Sequence, residues 1–145
     1  MREILFKAKR IDNGEWVEGN IILSKDADEE YKAIIIPSVN SNMFTQDSCD
    51  KDLGFENWYK VDPSTICQYT GLTDMNGQKI WENDILCGNL DDMYPGDKTY
   101  AQVIWHKNGW YTKESDSIDR NLMDEFDEHF FAVVGNIFDN GDLTK

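Results

Sequence analysis

Apolar and polar residues alternate along this chain in short runs, and Asn-Gly dipeptides separate several of the runs. Four occur, Asn13-Gly14, Asn76-Gly77, Asn108-Gly109 and Asn140-Gly141. A two-residue hairpin of the primed type needs positive φ at both central positions, and Asn followed by Gly meets that need at least steric cost. The first three dipeptides sit between runs rich in β-branched and aromatic residues, so the pattern predicts a mainly β protein built from hairpins.

Folding the first run about Asn13-Gly14 pairs Ile11 with Trp16, Lys9 with Glu18, Phe6 with Ile21 and Ile4 with Leu23. One face then collects Ile4, Phe6, Ala8, Val17, Ile21 and Leu23, the period of two expected of a half-buried strand pair. An acidic loop, 25–30, leads to a third strand at 33–36, ended by Pro37. Residues 38–62 are polar and irregular, interrupted by Phe55, Trp58 and Tyr59, which either dock onto the core or form a contact surface. The second Asn-Gly sets Asp74 opposite Lys79, Thr73 opposite Ile80 and Leu72 opposite Trp81. A new strand is expected from Ile85, followed by a loop over 88–98. In the third hairpin a two-residue loop pairs Trp105 with Thr112 and a three-residue loop pairs it with Tyr111, so its register is open.

The period changes over 117–130. Ile118, Leu122, Phe126 and Phe130 recur every four positions with Met123 beside them, while Asp119, Asp124, Asp127 and Glu128 take the other side. This spacing predicts one short amphipathic helix. The run 131–138 returns to strand. The expected organisation is an amino-terminal β-hairpin lobe, 1–62, and a second, mainly β part, 63–145, carrying the helix.

Composition narrows the partners. The chain has 145 residues, with 14 Lys plus Arg against 28 Asp plus Glu, a net charge of −14. A field of that sign repels phosphate backbones and anionic leaflets, so neither direct nucleic-acid binding nor membrane binding is expected. Basic partners are the ones it favours. The amino terminus lacks an apolar run of signal-peptide length and no stretch matches a membrane span, so a cytoplasmic location is expected. Cys49, Cys67 and Cys87 are odd in number, with spacings that match no zinc or redox motif.

Candidate chemistry is sparse. Asp74-Met75-Asn76-Gly77 has its glycine two positions too early for a calcium loop, and a turn explains it. Glu125 and His129 are spaced for one face of a helix, but the further ligands of an HExxH site are missing. His106 and His129 sit in no nucleophile signature, and no glycine spacing suits a phosphate loop. No catalytic residue, metal ligand or cofactor is expected. Of the five tryptophans, Trp16, Trp81 and Trp105 lie in strand patterns that suit packing, which leaves Trp58 and Trp110 as candidates for a protein contact patch.

The segment 68–86, Q-Y-T-G-L-T-D-M-N-G-Q-K-I-W-E-N-D-I-L, resembles the signature of the YopX family of phage and prophage proteins. The amino-terminal run from Ile4 to Ala8 and the closing 134–140 add flanking matches. Asn83 stands where the family usually has Gly, and Asn is the next best residue for a left-handed position. The resemblance implies an SH3-type barrel or roll in the carboxy-terminal part, self-association, and no enzymatic role that can be carried over. Its polar positions, Tyr69, Thr70, Asp74, Glu82, Asp84 and Asn136, are candidate binding residues or turn caps. The leading expectation is a non-enzymatic accessory protein acting through contacts with itself or with a host or phage protein. The alternative is an acidic nucleic-acid mimic that fills a basic site on a host DNA-binding protein.

Overall fold

The computed structural model describes residues 2–38, 43–45, 53–88, 99–114, 117–124 and 129–144. The protein is mainly β, and its strands form antiparallel sheets in two compact units, Glu3–Gln68 and Tyr69–Lys145.

In the first unit β1 (Phe6–Lys9) and β2 (Trp16–Leu23) form the expected hairpin, followed by β3 (Ala33–Pro37). A small pair, β4 (Met43–Thr45) and β5 (Leu53–Phe55), precedes the short β6 (Tyr59–Lys60). The neighbours run β6-β3-β2-β1, and Cys67 and Gln68, which open β7 (Cys67–Thr73), pair with Lys7 and Phe6. The hairpin register differs from expectation by two residues, with Lys9 opposite Trp16 and Phe6 opposite Gly19. The loop holds four residues, closed by Arg10 N–H to Glu15 O, with Gly14 alone at positive φ. A shift of two keeps every side chain on its face, so the predicted core face survives. Ala8, Ala33, Ile35 and Val61 are buried with Val17, Ile21, Tyr59 and Ile66 packed on them, while Ile4 and Leu23 at the far ends are exposed.

The end of β1 is held on both sides. Arg10 bridges Val61, Ile11 N–H donates to Lys60 O and Asp62 N–H donates to Lys9 O. Next to this bridge Asp62 caps the 3-10 turn Pro63–Thr65 by accepting from Ser64 N–H, and Thr65 Oγ1 accepts from Lys9 N–H.

The second unit carries the rest of β7, then β8 (Lys79–Trp81), β9 (Asp84–Gly88), β10 (Thr99–His106), β11 (Gly109–Glu114), β12 (Asn121–Leu122) and β13 (Phe131–Asn136). Five of these form a sheet in the order β12-β11-β10-β9-β13. Among the described residues no ladder joins β12 to β13, so the expected closed barrel is replaced by an open sheet. Ile80, Leu86, Val103 and Met123 form the core, covered by Leu72, Trp110, Phe131 and Val133.

Both remaining hairpins depart from the expected turns. Thr73, and not Asp74, lies opposite Lys79, because the loop keeps three residues and closes with Asp74 N–H on Gln78 O. Gly77 has φ +79° while Asn76 keeps negative φ, the pattern of a three-residue loop ending in a left-handed glycine. A Cβ at Gly77 meets open space, so only backbone strain opposes substitution there. Gly77→Val is expected to cost about 1–3 kcal/mol in chemical denaturation; an unchanged midpoint would show that the turn tolerates a side chain. In the third hairpin Trp105 faces Trp110, since Lys107 and Asn108 form the loop and Lys107 takes the positive φ. Gly109 is therefore the first strand residue, a register neither expected alternative contained.

The amphipathic helix does not form over 117–124. Asn121 and Leu122 pair with Thr112 and Tyr111 as an edge strand, and Met123 N–H donates to Trp110 O. Ile118 and Leu122, two of the four residues expected to face the core, are 89% and 62% exposed. The Ser, Asp and Asn residues of this segment are weak helix formers, and the open edge of β11 offers its backbone a ladder instead. Phe126 lies outside the described residues, and among the described residues of 117–130 helical backbone appears only at His129 and Phe130.

Candidate functional site

Three polar residues of the 68–86 segment, Thr70, Asp74 and Asp84, turn inward onto backbone groups. Asp74 is 4% exposed: its Oδ1 accepts from Asn76 N–H at 2.9 Å and Gln78 N–H at 2.8 Å, and its Oδ2 from Val133 N–H at 2.9 Å. Met75 N–H donates to Phe131 O, so the turn is fastened to β13 by two residues. The cross-strand pairing of Asp74 with Lys79 that the expected register would give does not form; Lys79 instead places its ammonium 5.7 Å from the Tyr69 ring. Tyr69 is itself buried against Trp81, with ring centroids 5.5 Å apart.

Thr70 and Gly71 build a bulge in β7 between Tyr69 and Thr73. Gly71 takes φ +87°, and Thr70 Oγ1 spans the irregularity, donating to Ile80 O and accepting from Leu72 N–H. Asp84 is 2% exposed and accepts from Trp81 N–H at 2.8 Å, closing the tight turn through the half-buried Glu82 and through Asn83 at φ 68°. Asn136 Oδ1 accepts from Phe138 and Asp139 N–H, and its Nδ2 donates to Asp139. Thr70, Asp74, Asp84 and Asn136 thus satisfy backbone donors that turns and bulges would otherwise leave unpaired.

Exposed aromatic surface lies elsewhere. Trp110 packs on the second-unit core with Trp105 edge-on to it at 4.9 Å, and Trp105, expected to be packed, is 51% exposed. In the first unit Trp58 is 48% exposed and, with Ile11, Asp12, Tyr59 and Lys60, lines a cavity of about 220 Å³. The bridge between the end of β1 and the segment after β6 brings these residues together, which sequence spacing alone does not show.

The charged groups of this cavity are paired. Arg10 lies over the Tyr59 ring, its guanidinium carbon 4.1 Å from the centroid, and donates from Nε to Asp12 Oδ1 at 2.9 Å and from Nη2 to Oδ2 at 2.6 Å. Lys60 donates to Glu30 Oε2 at 3.1 Å and sits 5.0 Å from the Tyr31 ring. Further along β1, Lys7 and Lys9 lie 4.7 and 5.4 Å from the Trp16 ring. The fork of hydrogen bonds from Arg10 holds the Asp12 carboxyl below the usual carboxylate range. A carboxyl lowered in the folded state contributes stability at neutral pH that is lost as pH falls through that lowered value. In an NMR titration Asp12 is expected to show a midpoint below that of a free aspartate, and Arg10→Met to return it to the ordinary range. A wild-type midpoint already in that range would show the fork to be absent in solution.

Among the described residues no group of three or more His, Cys, Asp or Glu is placed to hold a metal ion. Glu125, which the sequence spaces one helical turn from His129, lies outside them, as does Cys49. Cys67 is buried with its Sγ on Thr65 O, and Cys87 is a half-buried free thiol. Among the described residues no helix is long and apolar enough to cross a membrane.

The family model of the YopX protein matches residues 5–145. The chain belongs to the YopX family. No curated protein matches it. Among solved structures it is similar to protein EF1440 from Enterococcus faecalis, at 20% identity over 100% of both chains and a TM-score of 0.65. That likeness concerns the fold. In this YopX-family chain Asn83, which stands where the signature has Gly, takes the left-handed conformation at φ 68°.

Proposed function

We propose that this YopX-family chain is a phage- or prophage-encoded accessory protein that acts through protein contacts, without catalysis, on an open roll of the SH3 type in the cytoplasm of a bacterial cell. The observation that carries this reading is the rim of the first-unit cavity, where Trp58 and Ile11 leave about half of their surface to solvent. Half-exposed tryptophan over a small concavity is the surface type that anchors protein contacts. Its charged neighbours are paired, Asp12 with Arg10 and Lys60 with Glu30, which suits recognition rather than chemistry.

Affinity capture from lysogenic cells with the full chain and with Trp58→Ala tests it. A partner retained by the native chain, lost by Trp58→Ala and insensitive to added DNA is the expected result. Sedimentation of the purified chain shows whether that partner is a second copy. A hydrolase screen with and without divalent metal that returned turnover would sink the non-catalytic part.

The nucleic-acid mimic is a second reading, favoured by the charge distribution. Residues 69–145 hold 15 of the acids and only six of the bases. It predicts capture of basic DNA-binding proteins that DNA displaces.

A further inference from the structure

We infer that the cavity at the end of β1 is the seat for an arginine side chain presented by a basic partner protein. The inference rests on the protein-contact reading and names the chemistry of the contact. The site already displays half of the arrangement, filled by its own Arg10: an aromatic ring, Tyr59, under a guanidinium forked onto the Asp12 carboxylate. Beside it Trp58 offers a second ring, and among the described residues neither a cation nor another ring stacks on it. A carboxylate has about four lone-pair directions. Arg10 takes one per oxygen, so the exposed Asp12 keeps acceptors for a second guanidinium.

Size and charge select the occupant. About 220 Å³ falls below the range of roughly 300–1,000 Å³ typical of small-molecule pockets, and suits one side chain. Lys60 lines the wall, but its charge is matched by Glu30 as that of Arg10 is by Asp12, so the cavity is locally neutral. Residues 1–68, with 13 acids against eight bases, carry −5 of the net charge of −14, a sign that favours cationic segments at this surface. Tryptophan is the best aromatic partner for a cation, and guanidinium, planar and weakly hydrated, stacks on it better than ammonium.

The test is calorimetric titration of the full chain with four short peptides differing only in the repeated residue, arginine, lysine, glutamate or leucine. The arginine peptide is expected to bind tightest, the lysine peptide more weakly, and the other two not at all. Trp58→Ala and Asp12→Asn are each expected to weaken the arginine peptide about three- to tenfold, with Trp58→Phe in between. Circular dichroism confirms that these surface variants stay folded. Equal affinity in native chain and Trp58→Ala would overturn the inference, because the diffuse negative field would then suffice. Binding of the leucine peptide as tightly as arginine would overturn it too. If no peptide binds while cell-derived capture still depends on Trp58, the arginine seat is wrong and the protein-contact reading stands.

Discussion

Asp74→Ala is expected to lower the free energy of unfolding by about 2–4 kcal/mol, the scale of removing a buried charged acceptor from several backbone donors. As an exposed member of a cross-strand ion pair, the place the sequence suggests, Asp74 would contribute at most about 1 kcal/mol. The carboxylate is instead 4% exposed and takes three N–H groups, two within its own turn and one from Val133. Alanine leaves Val133 N–H without its acceptor and frees the turn from β13. Asp74→Asn separates charge from geometry, since its amide presents a donor to one of those N–H groups and is expected to destabilise nearly as much. Urea unfolding measures both. A loss well under 1 kcal/mol for the alanine variant, together with abolished partner capture, would reassign Asp74 from a fastening to a contact residue.

Gly19→Ala is the other large effect, about 2–4 kcal/mol, at or above the upper end of typical overpacking costs. A Cβ there would lie 2.0 Å from Ile36 O and 2.9 Å from Pro37 Cα, both backbone atoms of the neighbouring strand. No flexible side chain can yield, so β2 and β3 must separate where Gly19 faces Pro37. Gly14→Ala is the comparison: its Cβ meets nothing within 4 Å and only its positive φ of 72° resists. Thermal unfolding is expected to rank Gly19→Ala as the more damaging of the two. The reverse order would mean that the strands part at little cost.

The first hairpin shows what local pattern can and cannot specify. Alternation assigned each residue of β1 and β2 to its face, and the observed register, two residues from the expected one, preserved that assignment. In the second hairpin the difference is one residue opposite Lys79, and it moved Asp74 from a surface pair to a buried acceptor. Asn-Gly marks a turn because Gly accepts positive φ, yet a glycine at positive φ also closes loops of three or four residues. Here Gly14 and Gly77 close longer loops, and the third loop uses Lys107-Asn108. Loop length depends on what satisfies the freed N–H groups, and for the second turn that is a carboxylate whose third partner lies 59 residues away.

The candidate site divides in the same way. The 68–86 segment and its family were legible, because glycines at left-handed positions and short polar caps leave a local trace. That Asp74 and Asp84 are buried was not, since burial comes from strands remote in sequence. Four apolar residues at helical spacing signalled a helix over 117–130, but periodicity registers only spacing, and the open edge of β11 claimed Asn121 and Leu122. Trp58 was singled out from the sequence, whereas its cavity with Ile11 and Asp12 exists only because Val61 bridges Arg10. The sequence by itself determined strand composition, turn positions, facing and family, all of which depend on neighbours a few residues apart. Loop lengths, burial of the acids, the open sheet and the aromatic cavity were decided by tertiary structure, because each needs hydrogen bonds or contacts between segments far apart in the chain.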